Sequence, residues 1–239
     1  VRAAFNRGIE GPDELEKLGM NVYASVPLSD WQDTQSKKKI GKHNIKETLL
    51  AQHNPADLSI EALRSLRTSL HFAMMEARNN VLMLTGPGPS IGKSFIIGNL
   101  ASVIAHGEQK VLLIDADMRK GHLHDYFAQA DKKHGLSDYL SGQRDLDSVI
   151  VHSEQTHLDF IARGQVPPNP SELLMHPRFT SLLEWASQHY DLVLVDTPPL
   201  LAVTDAAIVG RLVGTTLLVA RFAITAAKEA EITQHRLEQ

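Results

Sequence analysis

The chain contains no cysteine, which excludes disulfides and thiolate metal sites and agrees with a reducing compartment without requiring one. No apolar run approaches the roughly 18 to 20 residues needed to span a bilayer, and no leader peptide opens the sequence, so it reads as a soluble segment. An initiator methionine is missing as well. The chain begins Val1-Arg2-Ala3-Ala4-Phe5, so it reads as an excised piece of something longer. Clustered positive charge is scarce: Lys37-Lys38-Lys39 is the only basic run in a chain of net charge −4, so nothing draws it to nucleic acid and the run reads as a solvated loop. Twelve histidines show no metal-ligand spacing, and His122 and His124, two residues apart, read as surface or supporting positions. No Ser/His/Asp or Cys/His array supports a hydrolase.

What is present suits one sizeable α/β domain with an appendage: 239 residues, 43% hydrophobic and 22% charged. Residues 1–56 read as an opening segment, with a short acidic helix over Asp13 to Leu18, a short strand over Val22 to Val26, and a mobile surface loop with some local helix from Ser29 to Asn54. Residues 57–239 carry the regular pattern. Asp57 opens a helix expected to run to about Arg78, and inside it Glu61, Arg64 and Arg67 fall at intervals of three, a charged stripe whose plain reading is a solvated face with an internal Glu–Arg pair.

The stretch Val81-Leu82-Met83-Leu84-Thr85 reads as a buried strand, and the apolar spacing after Ser94 reads as a helix. Between them lies a Gly/Pro turn ending Gly88-Pro89-Ser90-Ile91-Gly92-Lys93-Ser94-Phe95. A strand, a glycine-rich loop and a helix in that order aim backbone N–H groups and the positive helix end at one anion. Lys93 is then placed for the β- and γ-phosphates of a nucleotide and the Ser94 hydroxyl for Mg²⁺. The loop is a variant: Pro87 stands where the usual pattern has its first glycine, and Pro87 and Pro89 donate no N–H.

Two further strands end in acids. Lys110 to Asp115 continues into Ala116-Asp117, placing Asp115 and Asp117 at the carboxyl end of a sheet, where open α/β sheets bind ligands. Two such carboxylates can share Mg²⁺, or one can rise in pKa and serve as a general base. Tyr190 to Val195 ends in Asp196, a candidate Walker B acid for Mg²⁺. Between them, residues 121–157 read as peripheral short helices and turns, including Leu136 to Leu140 and Asp145 to Val151, and Leu158 to Ala162 as a strand. Past the Pro-rich stretch 164–170, Ser171 reads as a helix cap, with helices from Phe179 to His189, Thr204 to Val213 and Thr225 to Leu237 and a strand from Thr215 to Ala220. The alternation predicts a doubly wound, mostly parallel sheet flanked by helices; with its variant Walker motifs the chain resembles P-loop NTPases of the MinD/ParA kind.

The variant P-loop, Leu112-Leu113-Ile114-Asp115-Ala116-Asp117, Val193-Leu194-Val195-Asp196-Thr197-Pro198-Pro199 and Glu61-x-x-Arg64-x-x-Arg67 together resemble the bacterial tyrosine kinases, in particular the cytoplasmic domain of Wzc-type autokinases of capsule and exopolysaccharide export. The resemblance covers nearly the whole chain. It implies that Lys93 and Ser94 bind ATP-Mg²⁺, that Asp115 and Asp117 serve the metal and the attacking tyrosine hydroxyl, with Asp115 favoured as base, and that Asp196 completes the site. It implies that the Glu61, Arg64, Arg67 helix builds a homo-oligomeric ring in which each subunit offers a tyrosine-rich tail to its neighbour. It also implies partnership with polysaccharide export and polymerisation machinery and a counteracting phosphatase, and a place on the cytoplasmic side of an inner-membrane protein, after two transmembrane helices. Two departures are visible: the family continues beyond the position of Gln239 into a last strand and a tyrosine cluster, and close relatives carry tyrosine where His122 stands. The alternatives are a MinD/ParA-type ATPase switch, against which Pro87 to Ser90 lack the extra lysine of that group, and a nucleotide-binding ring-assembly module with vestigial catalysis.

Overall fold

A computed structural model describes residues 8–32, 34, 49–127, 134–152 and 157–238. Its centre is a six-stranded sheet: β1 (Val81–Thr85), β2 (Val111–Asp115), β3 (Ile150–Val151), β4 (Leu158–Ile161), β5 (Leu192–Asp196) and β6 (Thr215–Leu218), in spatial order β3-β4-β2-β5-β1-β6. From β4 to β6 all neighbours run parallel, while β3 closes one edge antiparallel to β4. The near-continuous apolar runs of β1, β2 and β5 follow from this, since a parallel sheet is covered on both faces.

Alternation along each strand feeds two cores. Val81, Met83, Leu112, Ile114, Val193 and Val195 pack against the helices Pro170–Met175, Pro177–His189 and Asp205–Gly210. Leu82, Leu84, Val111, Leu113 and Leu194 face the helices Leu50–His53, Leu58–Ala73 and Lys93–Ala105. Asp115 continues the second set two residues after Leu113, and Asp196 does so two residues after Leu194. Both acids are thereby placed on the face of the helix that starts at Lys93.

Several local expectations are corrected. Val22 to Val26 forms no strand. The helix capped by Asp57, whose carboxylate accepts from Ser59 N at 2.9 Å, ends at Ala73, five residues short of Arg78. Asp145 to Val151 holds a 3-10 turn, Leu146–Ser148, and then β3. Ser171 does not cap its helix, which begins at Pro170 after Asn169, because its hydroxyl is engaged by Asp205 instead. The helices expected from Thr204 to Val213 and Thr225 to Leu237 are Asp205–Gly210 and Ala227–Leu237. The surface loop read over residues 29–54 falls largely outside the described residues. What is described of the opening segment is tied to the body: Ile9 N donates to Thr225 O at 2.8 Å and Ala223 N to Ile9 O at 2.9 Å. Among the described residues no helix is long and apolar enough to cross a membrane.

Candidate active site

The chemistry-bearing residues converge where β1, β2 and β5 end. Leaving β1, the chain turns through Gly86, where a Cβ would collide with the Ile91 side chain and lie 2.8 Å from Val219 O, so only glycine allows this close passage. Ile91 is itself buried, a wedge that shapes the loop from beneath. Ser90 and Gly92 both adopt left-handed backbone, φ 58° and 97°, and Gly92 caps the Lys93–Ala105 helix without any side-chain hydrogen bond. The first-turn N–H groups therefore have no partner within the helix and remain available to an anion. A Cβ at Gly88 or Gly92 would meet nothing within 4 Å, so the concave side of the loop is open.

Behind the loop the charges are enclosed. Asp115 and Asp196 are register partners on adjacent strands, 0% and 2% exposed. Asp115 is held from both sides: Asp117 N donates to its Oδ1 and Leu123 N to its Oδ2, each at 3.2 Å. Gly121 lies against it so closely that a Cβ would collide with both carboxylate oxygens. Residues 121–123 are thus part of the site and not peripheral. Burial, then the neighbouring Asp196 and Asp117 carboxylates, push the Asp115 carboxyl well above the usual carboxylate range. Burial also pushes Asp196 up to about 7, against the Lys93 ammonium, which pulls it down; Asp117 adds to the rise, while Ser94 and His122 oppose it.

Ser94 Oγ donates to Asp196 Oδ2 at 3.1 Å, and Asp196 Oδ1 is buried without any hydrogen-bond partner. A buried carboxylate oxygen left orphaned is costly, and its natural complement is a cation. Among the described residues no three His, Cys, Asp or Glu side chains form a self-sufficient metal cage. Asp196, Ser94 and Asp115 offer oxygen only, which fits Mg²⁺, an ion that takes few protein ligands and keeps water and phosphate for the rest. The loop after β5 is locked to β1 by Thr197 N and Oγ1, which donate to Leu84 O at 3.2 and 3.0 Å, and by Thr85 Oγ1, which donates to Pro198 O at 3.2 Å.

Asp117, half-buried, stands at the rim, its Oδ1 accepting from Arg119 N at 3.2 Å and Lys120 N at 2.9 Å. Every site residue of the two acid-bearing strands and the phosphate loop is therefore gathered at one edge of the sheet. Glu61, Arg64 and Arg67 are not: Arg64 pairs with Glu61 at 2.8 Å and donates to Pro55 O at 2.8 Å, and Arg67 lies beside Gly107. That is the internal Glu–Arg pair of the plain reading. No motif in the sequence marks Arg119, Gly121 or Asp205 as site residues, and Ser171 reads there only as a helix cap; the available signal was Asp205, an acid opening the apolar helix Asp205–Gly210.

Residues 88–211 match the AAA domain family. The whole chain is 57% identical over 242 residues to the tyrosine-protein kinase wzc of Salmonella typhimurium, of which it spans 34%. It likewise spans 34% of the tyrosine-protein kinase etk of Escherichia coli K12, to which it is 54% identical over 247 residues. Among solved structures, the kinase domain of E. coli tyrosine kinase ETK superposes with a TM-score of 0.89 at 55% identity, covering 97% of this chain and 90% of that one. The MinC:MinD cell division complex of Aquifex aeolicus, at 19% identity and a TM-score of 0.55 over 66% of this chain, shares the fold alone.

Proposed function

The chain belongs to the bacterial tyrosine-protein kinase family, and on that premise we propose that it transfers the γ-phosphoryl group of ATP to tyrosine hydroxyls at the Lys93, Asp115 and Asp196 site. One observation carries the reading beyond nucleotide binding: two carboxylates are buried side by side beneath the phosphate loop, one of them with an orphaned oxygen. A fold that only tethered a nucleotide would not need that expense.

The N–H groups of residue 88 and residues 90–95 would cradle the triphosphate, Pro89 having none to give, and the Lys93 ammonium is placed for its β- and γ-oxygens. Ser94, Asp196 and Asp115 would hold Mg²⁺, which when bound supplies charge neutralisation on the phosphates. Asp115 takes the proton of the attacking phenol. Phenol, with a pKa of about 10, is a far weaker acid than a carboxylic acid, so the proton moves late and positioning supplies most of the rate. Asp117, at the rim, orients the incoming hydroxyl.

For the longer protein the reading extends to autophosphorylation in trans, the tyrosine-rich tail of one subunit entering the site of the next within a ring built through Glu61, Arg64 and Arg67. It further extends to control of capsule and exopolysaccharide synthesis and export, on the cytoplasmic side of the inner membrane and in opposition to a phosphatase. Supporting it are the identity to kinases of the wzc and etk type over the full chain. The test is phosphotyrosine formation from ATP-Mg²⁺ and a synthetic tyrosine-rich peptide: wild type is expected to label it and Lys93→Met is not. Equal labelling by both removes the mechanism.

A further inference from the structure

Asp205 is fully buried at the start of its helix, and among the described residues the only cation on it is Arg119, which grips both its oxygens, Nε to Oδ2 at 2.9 Å and Nη2 to Oδ1 at 3.1 Å. Ser171 Oγ donates to Asp205 Oδ1 at 2.6 Å and accepts from Arg119 Nη2 at 3.1 Å. Three segments that are distant in sequence are thus fastened at one point: the turn after β2, the Pro170–Met175 helix and the Asp205–Gly210 helix. A buried carboxylate paired with a partly exposed guanidinium is weak glue, since an apolar contact of similar volume stabilises as well or better. What the arrangement supplies is direction.

Arg119 works at both ends. While its guanidinium is anchored on Asp205, its main-chain N–H and that of Lys120 hold the Asp117 carboxylate, Gly121 N returns to Asp117 O at 2.6 Å, and Arg163 Nη1 reaches Arg119 O at 3.4 Å. The same turn goes on to cover Asp115 with Gly121 and Leu123. We propose that Arg119, anchored by Asp205 and Ser171, is a positioning residue that fixes the Asp117 carboxylate and the 117–123 turn for the phosphoryl-transfer site; this rests on the kinase reading above. A two-pronged grip is specific to the planar guanidinium, and lysine reproduces its charge but not its fork.

The experiment uses the 239-residue chain with ATP-Mg²⁺ and a synthetic tyrosine-rich peptide, and follows kcat, the KM for ATP and amide hydrogen exchange. Arg119→Gln is expected to lower kcat about 10- to 100-fold while the KM for ATP stays within about twofold, as misplacement of a reacting group does when the nucleotide cradle is intact. Arg119→Lys falls between it and wild type. The Lys120 and Gly121 amides exchange at least about tenfold faster in Arg119→Gln as the turn loosens. Asp205→Asn gives the same pattern, and the double variant is no worse than the worse single. Should a single variant fail to fold because one charge is left buried alone, Arg119→Gln with Asp205→Asn, which removes both charges, decides. Wild-type kcat in any folded variant, losses that multiply in the double, or unchanged exchange at Lys120 and Gly121 overturns the clamp. If wild type forms no phosphotyrosine yet the exchange changes as expected, the kinase reading fails and the clamp on Asp117 stands.

Discussion

At the carboxyl edge of the sheet Asp115 and Asp196 are buried against one another, one pushed well above the carboxylate range and the other to about 7, with Asp196 Oδ1 unpaired. On the Leu58–Ala73 helix, Glu61 and Arg64 are 65% and 39% exposed and satisfy one another at 2.8 Å. The same residue types are costly in the first place and nearly neutral in the second. Charge that a fold leaves unsatisfied in its interior signals a missing ligand, whereas charge that is already paired on the surface asks for nothing. The carboxylate edge therefore argues for a function from this chain alone, and the helix does not.

The contrast breaks most completely at Lys93, the cation between the phosphate loop and the acids. Lys93→Met is expected to reduce peptide labelling by at least about 10²- to 10³-fold, the usual cost of losing a preorganised charge at a developing anion. It should also raise the Asp196 pKa above about 7, since the ammonium now holds it down; carbon-detected NMR titration of the Asp196 carboxyl reads this without any turnover. Next in size is Asp115→Asn, with a loss of about 10²-fold or more against a smaller loss for Asp117→Asn, measured as single-turnover rates. The opposite ranking would hand proton acceptance to Asp117.

Most of this edge was legible in the sequence because strand periodicity and the carboxyl-end rule place an acid such as Asp115 or Asp196 before any coordinates exist. The glycine-rich turn was legible too, since Gly86, Gly92 and the helix pattern after Lys93 each have a local cause. Illegible were features set by contacts between distant segments. β3 is two residues long and exists only because β4 is beside it. Ser171 looked like a cap by residue type, but tertiary hydrogen bonding to Asp205 claimed its hydroxyl. Leu123 N reaching back to Asp115 leaves no trace in a linear pattern. The Val22 to Val26 stretch had strand composition but no neighbour to pair with.

A stability measurement sharpens the comparison from the other direction. The Asp196 carboxyl has an ordinary pKa of 3.8 and a folded value of about 7, so between those pH values the native chain keeps a proton that the unfolded chain has lost. The Asp196 contribution to the stability of the nucleotide-free protein thus falls as pH rises through that window and levels off above about 7. Asp196→Asn removes the buried charge and is expected to stabilise the chain at pH 8 by about 1–2 kcal/mol, or about 2–8 °C in melting temperature, with the gain shrinking toward pH 5. Calorimetry across that range checks it; a loss of stability at pH 8 would mean that Asp196 is better satisfied than its orphaned oxygen indicates. This would be a site acid that costs the fold stability, a common mark of function.

The smallest effect belongs to the exposed helix, and its smallness is the point. Arg64 already serves the monomer, bonded to Glu61 and to Pro55 O, while Arg67 makes no hydrogen bond or ion pair among the described residues. Replacing Arg64 with alanine should then cost the fold up to about 1 kcal/mol and replacing Arg67 about 0.5 kcal/mol or less, both read from urea melts. If the ring is real, the order reverses in light scattering, where Arg67→Ala should dissociate assemblies at least as readily as Arg64→Ala, because the cation without a partner at home is the one free to find a partner elsewhere. Wild type and Arg67→Ala that are both monomeric at every concentration, with equal stability, would reduce the stripe to the solvated face that its geometry in one subunit already describes.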